Sequence, residues 1–214
     1  MKKGNATKEN IYTAAKTLFY ENGYNATTIQ QIAKLAQVTL GGTTYHYNAK
    51  EKFVSQIFSN WNDAIYNEIR HSDICDEKSV FQHFVLTYNY HHAILDDEHV
   101  KAFYYEIISN DSLYPYLYEN LFNVYYNFAR EFDIPISQKE IESVIICDFG
   151  ARREFMTHVI ENKSPITDPS ETSMFIFSNT LRALGIPRLP IKEIGEKAYE
   201  YYQKNPYTHI KLLI

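Results

Sequence analysis

The chain has 214 residues and is short of those that staple or bend a fold: 2 Cys, 7 Gly and 7 Pro. Cys75 and Cys147 stand far apart and in no C-x-x-C spacing, which excludes a disulfide-dense scaffold and a cysteine zinc site. They are expected to be reduced and partly buried, as in a cytoplasmic protein. So few Gly and Pro exclude a fold made of many tight turns and leave long regular elements. No apolar run approaches the roughly 18 residues that a membrane helix needs. The first ten residues are polar and charged, so neither a membrane span nor a signal peptide is expected. There is no Gly-rich phosphate loop, no Ser/His/Asp order and no zinc signature, so the expectation is a protein that is not an enzyme and needs no cofactor.

What remains is 45% hydrophobic and 15% aromatic, with 19 Tyr and 13 Phe, enough for a globular core. Charge is uneven. Residues 1–53 hold seven Lys against three Glu, a surplus of four; the remainder holds 14 basic and 23 acidic residues, a deficit of nine. A basic head on an acidic body suits a head that meets a polyanion, although a chance imbalance of solvated charges would look the same.

The apolar spacing is helical throughout. Ile11, Ala14, Ala15, Leu18 and Phe19 share one face of a helix expected from about residue 7 to 22, stopped at Gly23. Thr28 and Gln31 make a capping box for a second helix with Ile29, Ile32, Ala33 and Ala36 inward. Thr39 caps a third, ending near Tyr47, and Lys50 opens a fourth to about residue 71 that carries Phe53, Ile57, Phe58, Trp61 and Ile65. A polar stretch at 72–77 separates head from body. Further helices are expected at about 78–95, 98–109, 113–132, 137–162, 169–185 and 191–204. Ser137 with Glu140, and Asp168 with Pro169, supply start signals. Only the tail at 209–214 could be a strand.

Two short helices at this spacing, followed by a long one, are what the major groove of DNA accepts. The residues T-T-I-Q-Q-I-A-K-L-A and V-T-L-G-G-T-T-Y-H-Y-N-A-K-E-K-F follow one another without gaps, together with Leu18-Phe19 and Gly23-Tyr24. This order resembles the N-terminal DNA-binding domain of the TetR family of bacterial transcriptional repressors, over about a quarter of the chain. The resemblance implies an all-α fold, with a helix-turn-helix domain at 1–53, a connecting helix at about 50–71, and a helical ligand-binding and dimerisation domain at 72–214. It implies a homodimer that binds a near-palindromic double-stranded operator and responds to a small-molecule effector.

Position by position, Thr27 and Thr28 would offer hydroxyls and amides to phosphate at a helix start. Thr39, Leu40 and Gly42 would face base edges. The resemblance places Thr44, Tyr45 and His46 against phosphates and sugars, and Lys50 on a phosphate. There are four departures from the family pattern, the two adjacent glycines counting as one. Gln37 stands where Gly is usual, which costs about 1 kcal/mol if φ is positive there. Gly41 and Gly42 lower helix propensity, Thr44 replaces a Tyr, and Asn48 replaces a charged residue. The expected reader is therefore poor in long polar side chains. It would rely on close backbone approach, groove shape and the methyls of Leu40 or Thr against thymine methyls.

In the body, Phe84, Tyr88, Phe103, Tyr104, Tyr125, Phe128 and Phe149 are candidates to line an aromatic effector pocket, though an aromatic core would show the same pattern. Arg152 is either paired with Asp148, four residues before it, or free for an acidic ligand group. The resemblance assigns the dimer interface to the helices at 137–162 and 169–184. There Gly150-Ala151 allows close approach, either of a second copy or of a neighbouring helix. His91, His92, Asp96 and His99 cluster in sequence, but the paired Glu-x-x-His elements of a di-iron bundle are missing, so the pair His91-His92 is expected at a solvated helix end. The alternative function is a DNA-binding protein whose body binds a protein partner; a metal-dependent helical enzyme is remoter.

Overall fold

Helix start signals take effect where the sequence carries them. The computed structural model describes residues 2–117 and 121–214, and among these every regular element is helical. The α-helices are α1 (Lys2–Ala26), α2 (Ile29–Leu35), α3 (Leu40–His46), α4 (Glu51–Arg70), α5 (Ser79–Leu95), α6 (Glu98–Ile108), α7 (Phe122–Glu131), α8 (Gln138–Ile160), α9 (Pro169–Ala183) and α10 (Arg188–Lys204). Both capping boxes form, Thr28 with Gln31 and Ser137 with Glu140. Asp168 caps α9, accepting from the amides of Ser170 and Glu171, with Pro169 in the first turn.

Three elements differ from the sequence expectation. Helix α1 starts earlier, and its final turn is offset at Gly23, whose φ of 79° and ψ of 170° break the helical path. The segment read as one helix at 113–132 holds a 3₁₀ turn at Tyr114–Leu117 and then α7. Residues 118–120 of that expected helix lie outside the described residues. The tail at 209–214 is irregular, with Leu212 and Leu213 buried. No described helix is long and apolar enough to cross a membrane.

The chain forms two compact units. The first holds the residues up to Trp61 together with Asp97–Leu117 and Lys211–Ile214; the second holds Asn62–Asp96 and the described residues from 121 to Ile210. In the first unit, α2 and α3 pack on α1, and so does α6. Phe19 is its centre: its ring lies 5.4 Å from Tyr24, 6.2 Å from Phe53 and 5.4 Å from Phe103. Polar ties fasten α6 to α1. The Tyr20 hydroxyl donates to Asp97 at 3.2 Å, and the Asn25 amide donates to the Glu106 carboxylate at 2.9 Å. In the second unit, α5 is the buried axis, flanked by α9 and α10, while α7 and α8 close another side. The ring of Phe177 meets His83, Phe84 and Phe128 there.

Candidate nucleic-acid interface and effector region

The turn between α2 and α3 determines what α3 can present. Gln37 has a φ of 56°, so the departure from Gly at this position does fall on a left-handed residue. Thr39 then caps α3, its Oγ1 accepting from the Gly42 amide at 3.0 Å. Thr43 is fully buried against the rest of the head, and this fixes the rotation of α3. The outward positions are Thr39, Leu40, Gly41, Thr44 and Tyr45. Leu40 is 46% exposed and Tyr45 85%, unusual values for side chains of that size. His46 is half-buried, its ring 5.1 Å from that of Tyr45.

Two of the residues read as phosphate contacts are turned to other work. Thr27 is 1% exposed, and its hydroxyl lies within bonding distance of the carbonyls of Gly23 (2.7 Å) and Leu18 (3.1 Å). Its amide donates to Tyr24 at 3.2 Å, so Thr27 ties the end of α1 to the start of α2 and offers nothing to a phosphate. The Lys50 ammonium donates to the carbonyls of Tyr24 (2.8 Å) and Thr27 (2.9 Å) and sits 3.9 Å from the centre of the Tyr24 ring. Burial lowers its pKa, with Glu51 and Glu106 opposing that shift. Thr28 remains exposed, although its hydroxyl and amide serve the capping box with Gln31.

The aromatic candidates divide between the two units. Phe103 and Tyr104 belong to the first unit, where each ring lies within 6.4 Å of Phe58. Phe84, Tyr88, Tyr125, Phe128 and Phe149 belong to the second and are buried there. The Asp148–Arg152 pair is formed, at 3.0 Å. Asp148 also accepts from the hydroxyls of Tyr125 and Thr180, both at 2.6 Å. The guanidinium lies 5.2 Å from the centre of the Phe149 ring. Beside this network, His83 is enclosed by Phe128 and Phe177 and bonded through Nδ1 to the Tyr66 hydroxyl at 2.8 Å. Burial first, then the nearby Arg152 charge, pushes the His83 pKa down to about 3.

An open groove of about 870 Å³ lies elsewhere in the second unit, between α9 and α10. Of the residues proposed for ligand contact only Tyr88 reaches it, and its walls carry Met174, Phe175, Arg182, Lys192 and Glu196. The histidine cluster dissolves on inspection. His91 is fully buried and bonded to Ser173 at 2.9 Å, contrary to the expected solvated end. His92 bonds Asp96 at 2.7 Å, and His99 bonds the Tyr20 carbonyl at 3.0 Å. Among the described residues no three His, Cys, Asp or Glu side chains converge on a metal position. Both cysteines are exposed, where partial burial was expected; neither lies on an inward helix face.

Residues 11–57, which are α1 from its first buried turn through α2, α3 and the start of α4, match the family described as bacterial regulatory proteins, tetR family. The family match is confined to this N-terminal head. It is 30% identical over 111 residues to the HTH-type transcriptional regulator QacR of Staphylococcus aureus (strain Mu50 / ATCC 700699), an alignment covering 50% of this chain and 58% of that protein. It is 36% identical over 56 residues to the transcriptional repressor KstR2 of Rhodococcus jostii (strain RHA1), covering 26% and 28%. The chain thus spans little more than half the length of one curated relative and under a third of the other. RolR, solved in complex with resorcinol, superposes with a TM-score of 0.62 at 17% identity, over 92% of this chain and 96% of that one. TylP, a TetR regulator from Streptomyces fradiae, gives 0.51 at 16% identity, over 91% and 96%. The fold is shared along nearly the whole chain.

One residue that shapes the first unit was not singled out in the sequence. Glu106, on α6, accepts the Asn25 amide, and its Oε1 lies 2.9 Å from where a Cβ on Gly23 would stand. Nothing local announces a partner 81 positions away; the signal present was Gly23 itself, a left-handed glycine where a carboxylate approaches.

Proposed function

We propose that the chain is a ligand-responsive transcriptional regulator, a repressor that binds a near-palindromic operator as a homodimer and is released by a small apolar or aromatic effector. The observation that carries this reading is α3, a short helix rotated by buried Thr43 so that Leu40, Thr44 and Tyr45 face outward, within residues that match the family domain. Thr28, Thr39, Leu40, Gly42, Thr44, Tyr45 and His46 are proposed for the DNA face, with residues 1–53 as the DNA-binding domain and 72–214 as the effector and dimerisation domain.

Dimerisation is supported by an apolar face left open on α8 and α9. Ile146 is 72% exposed, and Phe175 is 39% exposed and stacked on Phe155 at 4.8 Å. A Cβ on Gly150 would meet no described atom within 4 Å, so this glycine serves no contact inside the chain. The effector is assigned to the aromatic neighbourhood of Tyr125, Phe128, Phe149 and Arg152. RolR, alike in fold and solved with resorcinol, is a precedent for a small aromatic compound in this architecture.

The deciding experiment is selection of duplexes from a random-sequence pool at low salt, where phosphate contacts are strongest. Enrichment of an inverted repeat with half-sites about one helical turn apart is expected. If no duplex is retained, the reading fails. A thermal-shift screen of small aromatic compounds, repeated with the selected duplex, then tests effector control: ligand and DNA should each weaken the other's binding. A monomer that stays monomeric on DNA but captures a defined protein partner would favour the alternative role for the body.

A further inference from the structure

We infer that α3 recognises its target through thymine methyl groups, so that the preferred duplex carries thymine, rather than guanine, opposite Leu40 and the methyls of Thr39 and Thr44. The inference rests on the proposed DNA binding and names the class of sequence that would be bound.

The base-reading code in the major groove is mostly polar. Guanine is taken by Arg or Lys on O6 and N7, adenine by Asn or Gln on N6 and N7, and thymine by an apolar contact on its C5 methyl. The outward surface of α3 and its cap consists of Thr39, Leu40, Gly41, Thr44 and Tyr45, with no Arg, Lys, Asn or Gln among them. The long polar side chains Lys34 and Gln37 lie outside it, on α2 and on the turn.

The threonines commit part of their hydrogen bonding to the helix itself. Thr39 Oγ1 accepts the Gly42 amide at 3.0 Å, and the Thr44 hydroxyl donates to the carbonyls of Leu40 and Gly41, both at 3.2 Å. Thr43, the third, is buried and bonded back to Thr39 at 3.3 Å. Thr39 keeps its O–H and Thr44 its lone pairs, but the helix bonds orient both side chains, and each also carries a Cγ2 methyl that can touch a ligand. Leu40 adds an exposed isobutyl group. Gly41, with no atom within 4 Å of a Cβ position, lets the backbone approach the groove floor closely enough for these short groups to reach. Tyr45, at the far end, carries the one large outward polar tip on the helix, long enough for the sugar-phosphate edge.

The test uses the full chain and the duplex selected above. Each thymine is replaced singly by deoxyuridine, which deletes the methyl and leaves the hydrogen-bonding edge intact. At one or two positions per half-site Kd should rise about fourfold, the value of one buried methyl. Leu40→Ala should bind the parent duplex more weakly and lose its discrimination against deoxyuridine at one of those positions; an unchanged melting temperature confirms that it folds. Thr44→Ser, which removes the methyl and keeps the hydroxyl, should raise Kd about as one deoxyuridine does, and Thr44→Val, which keeps the methyl, should raise it less. If every deoxyuridine duplex binds like its parent, or if 7-deazaguanine is the substitution that weakens binding, the inference is overturned while DNA binding stands. Failure to select any duplex overturns the regulator reading as well.

Discussion

Lys50 shows how one residue can answer to two readings. Its place at the start of α4 suggests a phosphate ligand, yet its ammonium is held by the carbonyls of Tyr24 and Thr27 and by the Tyr24 ring. Those carbonyls fall where α1 ends and α2 begins, so the lysine braces that joint. Lys50→Met keeps the stem and removes the charge. It should lower head stability by about 2 kcal/mol, the worth of charge-assisted hydrogen bonds, read by urea unfolding. The salt dependence of DNA binding should stay as steep as before; a slope shallower by about one would return Lys50 to the phosphate. Gly23 faces a harder constraint. Its φ of 79° with ψ near 170° suits only glycine, and the Glu106 carboxylate occupies the side-chain space. Gly23→Ala should cost about 2 kcal/mol or more, and Glu106→Gln in addition should not restore it, because the backbone strain persists.

At the level of elements, the readable parts were those determined by local chemistry. Thr28, Ser137 and Asp168 start helices because their side chains bond amides two or three residues on, and such bonds need nothing distant. The rotation of α3 was not readable, since it depends on Thr43 entering a core that α1 and α2 build. Nor was the inward turn of Thr27, a residue with a plausible phosphate role until its hydroxyl met two α1 carbonyls. The largest surprise is α6. Its apolar periodicity gave a helix but no address, and Phe103 packs on Phe19, 84 positions away, in the head. The aromatic candidates are buried rings, and for this reason they divide between the two units. Within α3 the two glycines should part company. A Cβ on Gly41 meets nothing, so Gly41→Ala should stabilise the head by up to about 1 kcal/mol through helix propensity. On Gly42 it would come within 3.2 Å of the capping Thr39 Oγ1, so Gly42→Ala should gain less or lose. Thermal melts of both variants check the order; both should weaken binding to the selected duplex, by adding bulk or by shifting the cap.

For the whole molecule, the open face on α8 and α9 predicts that Ile146→Glu is monomeric at micromolar concentration by sedimentation and binds the operator far more weakly, because the two half-sites then lose their coupling. Acid should unfold the protein by a route that two histidines set. Burial pushes the pKa of both His83 and His91 down to about 3, with the Arg152 charge adding to the effect. In the unfolded chain each would titrate near 6.5. Above pH 6.5 both states hold the rings neutral and no dependence arises. Below it the unfolded chain takes up a proton that the folded chain refuses, so stability falls as pH falls, by about 1.4 kcal/mol per pH unit for each ring, until pH nears 3. Two such rings would remove several kcal/mol by pH 5, a large share of the roughly 5–15 kcal/mol that holds a domain together. His91 is the cleaner probe. Its Nδ1 is bonded to Ser173, whose hydroxyl keeps the Pro169 carbonyl, at 2.8 Å, as a partner when the ring is removed. His91→Leu should therefore fold at pH 7.5 and show roughly half the slope of stability against pH between 6 and 4.5, measured by urea titrations at each pH. A slope equal to that of the unaltered chain would mean that His91 is protonated in the fold and that acid sensitivity comes from elsewhere.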